Sequence, residues 1–193
     1  MSIYRLVLFV HVISDITLFI GIGAQLLLLI ALRRANDMNQ VRMVIGFIPV
    51  TDRMGVGGSL LTIASGFYMA LTAWGLQTSW IIIALAGILL IIGPLIGGIV
   101  EPRTRALVKM AKEGESDPVP AALEARIHDP VLGLALHVNL AVVIGIVYLM
   151  TTKPSLAGSI MAMIVVLALG VASGLSLWGV IPQRSNRNRQ RPH

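Results

Sequence analysis

His11 and Asp15 stand four residues apart in a stretch that is otherwise almost wholly apolar. On an α-helix that spacing puts both on one face, one turn apart. A carboxylate so placed can hold an imidazole through one ring nitrogen and leave the other for a metal, a haem iron or a proton. Ser14, Gly21 and Gln25 continue the same stripe, which must therefore face other protein. His137 is the third ionisable group within an apolar stretch, with Tyr148 eleven residues on. Such groups cost a few kcal/mol or more in hydrocarbon and are functional candidates for that reason. The candidate cofactor-binding residues are His11, Asp15 and His137, and the candidate groups are haem b or copper. For copper, the soft thioethers of Met150, Met161 and Met163 fall near the depth of His11 and suit Cu(I); the metal set read from this is His11, Met150 and Met161. Methionine also fills gaps in apolar packing. The simpler alternative is that His11 and Asp15 satisfy each other, and that His137 is a packed, hydrogen-bonded residue. One iron shared by both histidines is not expected, because they differ in depth by ~10 Å at ~1.5 Å per residue. No catalytic residues are identified, and whether the chain catalyses a reaction stays open.

The elements that must position these groups follow from composition. The chain has 193 residues, 56% hydrophobic and 12% charged, with a mean hydropathy of +0.85. A soluble domain would carry roughly twice that charged share, which excludes a soluble enzyme, a disordered chain and a fibrous repeat. The absence of cysteine excludes disulfides, thiolate metal sites and a thiol nucleophile. Crossing a bilayer takes ~20 apolar residues, and five stretches qualify: about 4–32, 54–76, 80–100, 130–150 and 156–181. Backbone groups in lipid must be paired within their own segment, so the spacing predicts helices. The fold class is all-α, a five-span transmembrane bundle forming one domain over residues 1–182. The first stretch is too long, and lacks a small-x-small site before Arg33, to be read as a cleaved leader.

Charge sets the orientation. Of the 15 basic residues, 2 (Arg5 and Lys153) fall on the N-terminal side and 13 on the other. Cationic loops stay in the cytoplasm, so the N-terminus is expected outside and the C-terminus inside, in a bacterial inner membrane. Short turns at Gln77–Ser79 and Lys153–Ser155 make spans two and three, and four and five, antiparallel neighbours. The run 41–49 either lies on the membrane surface or extends span two; 113–120 reads as a hinge. Asp129-Pro130 supplies an N-cap and a proline at the first helical position. Asp52-Arg53 and Glu101-Pro102-Arg103 read as local ion pairs. The arginine-rich tail 183–193 reads as disordered, a topology determinant that could attract anionic lipids; without interleaved aromatics it offers no nucleic-acid surface.

Helices in lipid associate through small residues. Gly93/Gly97, Gly170/Gly174 and the weaker Gly158/Ala162 are such pairs, and Pro94 predicts a kink in span three. They fit a bundle that could form a homodimer or join a larger membrane complex. Gly21-Ile-Gly23 and Gly55-x-Gly57-Gly58 lack the strand–turn–helix context of a nucleotide loop.

An ordered set of residues adds a resemblance: Phe9-Val10-His11-Val12-Ile13, Asp52-Arg53 before Gly55, Gly57, Gly58 and Ser65-Gly66, then Trp80, Glu101-Pro102-Arg103 and Met150-Thr-Thr-Lys153-Pro154. Over roughly residues 4 to 154 the chain resembles a bacterial family of predicted integral membrane proteins, a domain of unknown function. In layout that family is similar to copper-resistance protein D and to the membrane protoporphyrinogen oxidase of haem synthesis. The resemblance implies a small helical bundle whose span-one histidine, His11, binds haem or copper. The oxidase relatives also use a span-three lysine; span three here has none, so that activity does not carry over. Three functions remain: haem, metal or proton handling at His11; a non-catalytic subunit or assembly factor; and a small transporter. The third is the weakest, because only span one shows a run of polar residues and no inverted repeat is visible.

Overall fold

A computed structural model describes residues 3–114 and 118–179. Among them every long element is helical, and five helices are long and apolar enough to cross a membrane. α1 is Ile3–Arg34. A short helix, α2 (Met38–Ile45), follows, capped by Asp37, whose side chain accepts from the Gln40 amide at 2.8 Å. α3 is Ile48–Met69, with Pro49 in its first turn, and it runs into one wide π-helical turn at Ala70–Trp74. α4 is continuous over Ser79–Glu113. α5 is Ala121–Ile127, α6 is Pro130–Thr152 and α7 is Leu156–Trp178.

Several boundaries differ from the sequence reading. The second span begins at Ile48 rather than 54, because proline in the first turn starts a helix without losing a bond. The 41–49 run is thus divided, part in α2 and part opening α3. The third span does not stop at 100; the helix continues as a charged extension to Glu113. Pro94 lacks an N–H and crowds the preceding turn, and π-helical turns at Gly87–Ile92 and Ile96–Val100 flank it. Residues 115–117 of the expected hinge and the basic tail lie outside the described residues. Asp129 caps α6 as its sequence suggests, accepting from Val131 N at 2.9 Å.

The chief packings are α1 on α3 and α6 on α7. Glycines explain both. A Cβ on Gly58 would lie 2.8 Å from Leu18 N, and one on Gly21 2.9 Å from Gly55 N, so α1 and α3 touch backbone to backbone. Gly170 and Gly174 meet Ala141, Val138 and Leu134 of α6 equally closely, which gives the glycine pair of the fifth span its partner. Gly93 and Gly97 differ. Neither touches another helix; both open onto a cavity, and small side chains there remove wall rather than seat a neighbour. α6 is the central post, with 56% of its apolar window buried against 17–22% for the other four spans. α3 and α4 share a tight turn but are held apart by two cavities, because α3 spends its small-residue face on α1.

Arginines stitch the basic end. Arg33 donates to the carbonyls of Ile127 and Asp129, Arg103 pairs with Asp129 at 3.1 Å, and Arg42 donates to the Gly114 carbonyl. Arg33 also stacks on Trp178, 4.3 Å from the ring centroid. At the opposite end Lys153, in a left-handed conformation (φ 48) that terminates α6, lays its ammonium 3.9 Å above the Trp74 ring.

Candidate functional site

His11 lies in the α1–α3 interface and is 5% exposed. Its Nδ1 is 3.1 Å from the Thr62 carbonyl and 3.0 Å from Ser65 Oγ. A carbonyl only accepts, and the Ser65 hydroxyl donates to Leu61 O. Nδ1 must therefore carry the hydrogen. That assignment leaves Nε2 as the reactive nitrogen. It points to Asp15, 3.6 Å from Oδ2. The Asp15 Oδ1 atom accepts from the Thr62 hydroxyl at 2.8 Å, and that hydroxyl also lies 3.1 Å from Ser14 Oγ. Ser14 itself returns its hydrogen to α1, at the carbonyls of Val10 and His11.

The sequence reading had Asp15 hold one ring nitrogen and leave the other free. Instead α3 holds the ring through Nδ1, and Nε2 is left facing Asp15 at 3.6 Å. Thr62, Ser65 and Gly66 were not recognised as site residues from the sequence. Gly66 is needed because a Cβ there would sit 3.0 Å from His11 Cε1. A signal existed: Gly55, Gly58, Thr62 and Ser65 recur every three or four residues, with Gly66 four after Thr62, a small-and-polar stripe that complements Ser14, Asp15, Gly21 and Gln25 on α1.

Two cavities of about 330 Å³ each meet at this pair. The first is lined by His11, Tyr4, Phe67, Trp74, Trp80 and Lys153, among others. The second is lined by Asp15, Gln25, Asp52, Ser59, Glu101 and Asn139, with apolar walls between. His11 lines only the first and Asp15 only the second; Thr62, Ile63, Ile88 and Met150 border both. Asp52 is not a local partner of Arg53. Its carboxylate accepts from Gln25 Nε2 at 2.9 Å, across the α1–α3 interface.

The remaining candidates are dispersed. His137 keeps separate company: its Nδ1 lies 2.9 Å from Trp178 Nε1 and 3.0 Å from the Gly133 carbonyl, and its ring meets the indole edge to face at 5.9 Å. It lines neither of the two cavities. Met150 reaches both. Met161 is 61% exposed and is not brought to His11, while Met163 is buried against Gly87 and Gly145. Among the described residues no group of three or more His, Asp or Glu could hold a metal ion. Copper would find one imidazole, one carboxylate and at most one thioether. For a haem, the single axial nitrogen on offer faces a carboxylate at 3.6 Å; iron seated there would have to displace it. The residues fit neither group well.

Comparison with known proteins agrees with the membrane reading. A family model described as "Predicted integral membrane protein (DUF2269)" matches residues 5–154. No curated protein and no solved structure matches significantly.

Proposed function

From the premise that the chain belongs to this family of predicted integral membrane proteins, we propose that it handles protons at the His11–Asp15 pair. One observation carries the reading. With its Nδ1 hydrogen given to α3, neutral His11 presents a bare lone pair at Nε2 to a carboxylate oxygen 3.6 Å away. Two acceptors facing each other gain from a proton between them. A proton arriving on Asp15 Oδ2 passes to Nε2, leaving imidazolium and carboxylate paired; its release from Nε2 restores both groups. Because His11 borders one cavity and Asp15 the other, uptake and release occur on different sides of the pair. The distribution of arginines supports a bacterial inner membrane, with the Arg33–Arg103 end cytoplasmic.

The test is proton movement in proteoliposomes carrying an imposed pH gradient, followed with an enclosed pH-sensitive dye. The intact chain should discharge the gradient faster than empty liposomes, and His11→Ala and Asp15→Asn should each abolish the difference. Discharge at the empty-liposome rate by the intact chain, or full activity in both variants, would refute the proposal.

A further inference from the structure

The second cavity asks for an occupant. It spans the depth between the Gln25–Asp52 hydrogen bond and the Asp15–Thr62 hydrogen bond. Gln25 and Asp15 are ten residues apart on α1, so the two levels are separated by ~15 Å. Polar groups mark the way at intervals: Glu101 and Asp52 at the arginine-rich end, Ser59 and Asn139 between, and Thr62 and Asp15 at the far end. Asn139 is only 4% exposed, and its Oδ1 has no hydrogen-bond partner among the described residues. A buried amide oxygen left bare costs roughly 1–3 kcal/mol. Among the described residues Asp52 has the Gln25 amide as its hydrogen-bond partner, and a half-buried carboxylate in a dry apolar cavity is costlier still. Glu101, whose side chain is 39% exposed and paired with Arg105, stands where the cavity meets the surface.

We propose that this cavity is a hydrated passage, a file of water running from Glu101 and Asp52 past Asn139 to Asp15. A volume of about 330 Å³ holds about ten waters at ~30 Å³ each. Water supplies the donor that Asn139 Oδ1 lacks and solvates Asp52. The buried apolar side chains between the polar groups (Ile22, Val143, Ile146) keep the file loosely held. The inference deepens the proton reading by naming the route by which protons reach Asp15 from the arginine-rich face, and in that respect it rests on that reading.

The natural absence of cysteine makes a direct test available. Thiols react with methanethiosulfonate reagents as thiolates, which form in water and not in hydrocarbon. Single cysteines at Ser59 and Val143, both lining the cavity, should be labelled by a small membrane-impermeant reagent added from the face that carries Arg53 and Arg103. Their rates should be roughly tenfold or more above that of Leu90→Cys, whose position is 75% exposed on an apolar helix surface; Arg53→Cys serves as the reactive standard. Adding Asn139→Leu, which removes the midway polar group while keeping an apolar side chain of similar size, should slow the deeper Val143→Cys and leave Arg53→Cys unchanged. Labelling of Ser59→Cys and Val143→Cys no faster than Leu90→Cys, or labelling only from the opposite face, overturns the passage. The two proposals fail separately: labelled cysteines without proton discharge leave the water file standing and remove the relay, and discharge without labelling does the reverse.

Discussion

A pair of adjacent glycines on α3 offers a sharp test of the geometry on which the His11 site depends. Gly57 and Gly58 sit side by side in one helix. A Cβ on Gly57 meets nothing within 4 Å, whereas one on Gly58 would lie 2.8 Å from Leu18 N, 3.0 Å from Ser14 O and 3.1 Å from Leu18 Cα. Those three atoms are backbone of α1 and cannot swing aside. Reaching ordinary contact would push α1 back by roughly 0.6 Å, enough to forfeit a quarter to a half of each dispersion contact along the seam. The same retreat would stretch the Thr62–Asp15 bond, now 2.8 Å, beyond the usual hydrogen-bond range. Both alanines gain the same helix propensity, about 0.5–1 kcal/mol over glycine, so the difference between the variants isolates the steric cost, expected at about 1–3 kcal/mol against Gly58→Ala. Reversible unfolding in mixed micelles measures the difference, and the ¹⁵N signal of the His11 imidazole reports the site. Equal stability of the two variants, with an unchanged His11 signal in both, would refute the backbone-to-backbone seam and the hydrogen bonds built on it.

Two further outcomes follow from the same contacts. Gly66→Ala should tilt the His11 ring, because the new methyl would lie 3.0 Å from Cε1; the expected loss is about 1 kcal/mol with one weakened Nδ1 hydrogen bond, read as a shift of the Nδ1 resonance. Gly133→Ala would place a methyl 2.4 Å from Trp178 Cδ2 and should unseat the indole at a cost of about 1–3 kcal/mol, visible as a change in tryptophan emission while His11 and its discharge activity are untouched.

Much of the fold was legible because lipid imposes one requirement on every span. Apolar length located five helices, Asp129-Pro130 marked the start of α6, and Gly170/Gly174 marked a packing face on α7 without naming the helix it meets. The inward face of α1 was also readable, since a four-residue step joins His11 to Asp15. What escaped is the part contributed by partners distant in sequence. Thr62 and Ser65 are common in apolar helices, where their hydroxyls can return to the preceding turn, and nothing local distinguishes one that also meets a histidine fifty residues away. Asp52 beside Arg53 reads as an ion pair until Gln25 is seen to hold it. Gly93 and Gly97 carry the spacing of a packing motif, yet spacing cannot tell a glycine that admits a helix from one that borders a cavity.

The transporter reading was weak on the sequence because no span other than the first carries a run of polar residues. A polar path need not be written along one helix. Here Asp15 and Gln25 come from α1, Asp52, Ser59 and Thr62 from α3, Glu101 from α4 and Asn139 from α6. Each span spends only one to three polar groups, few enough to keep its hydropathy typical of a membrane helix. Dividing the path this way limits the insertion cost of any single segment, since each buried polar or charged group adds its penalty to the helix that carries it. It also ties hydration to assembly: Asn139 and Asp52 share a cavity only when α6 and α3 both stand against α1. A variant that loosens the α1–α3 seam should therefore disturb the water file and the His11–Asp15 pair together. Gly133→Ala, which acts on the Trp178 contact with α6 and Arg33 and not on that seam, should spare the His11–Asp15 pair.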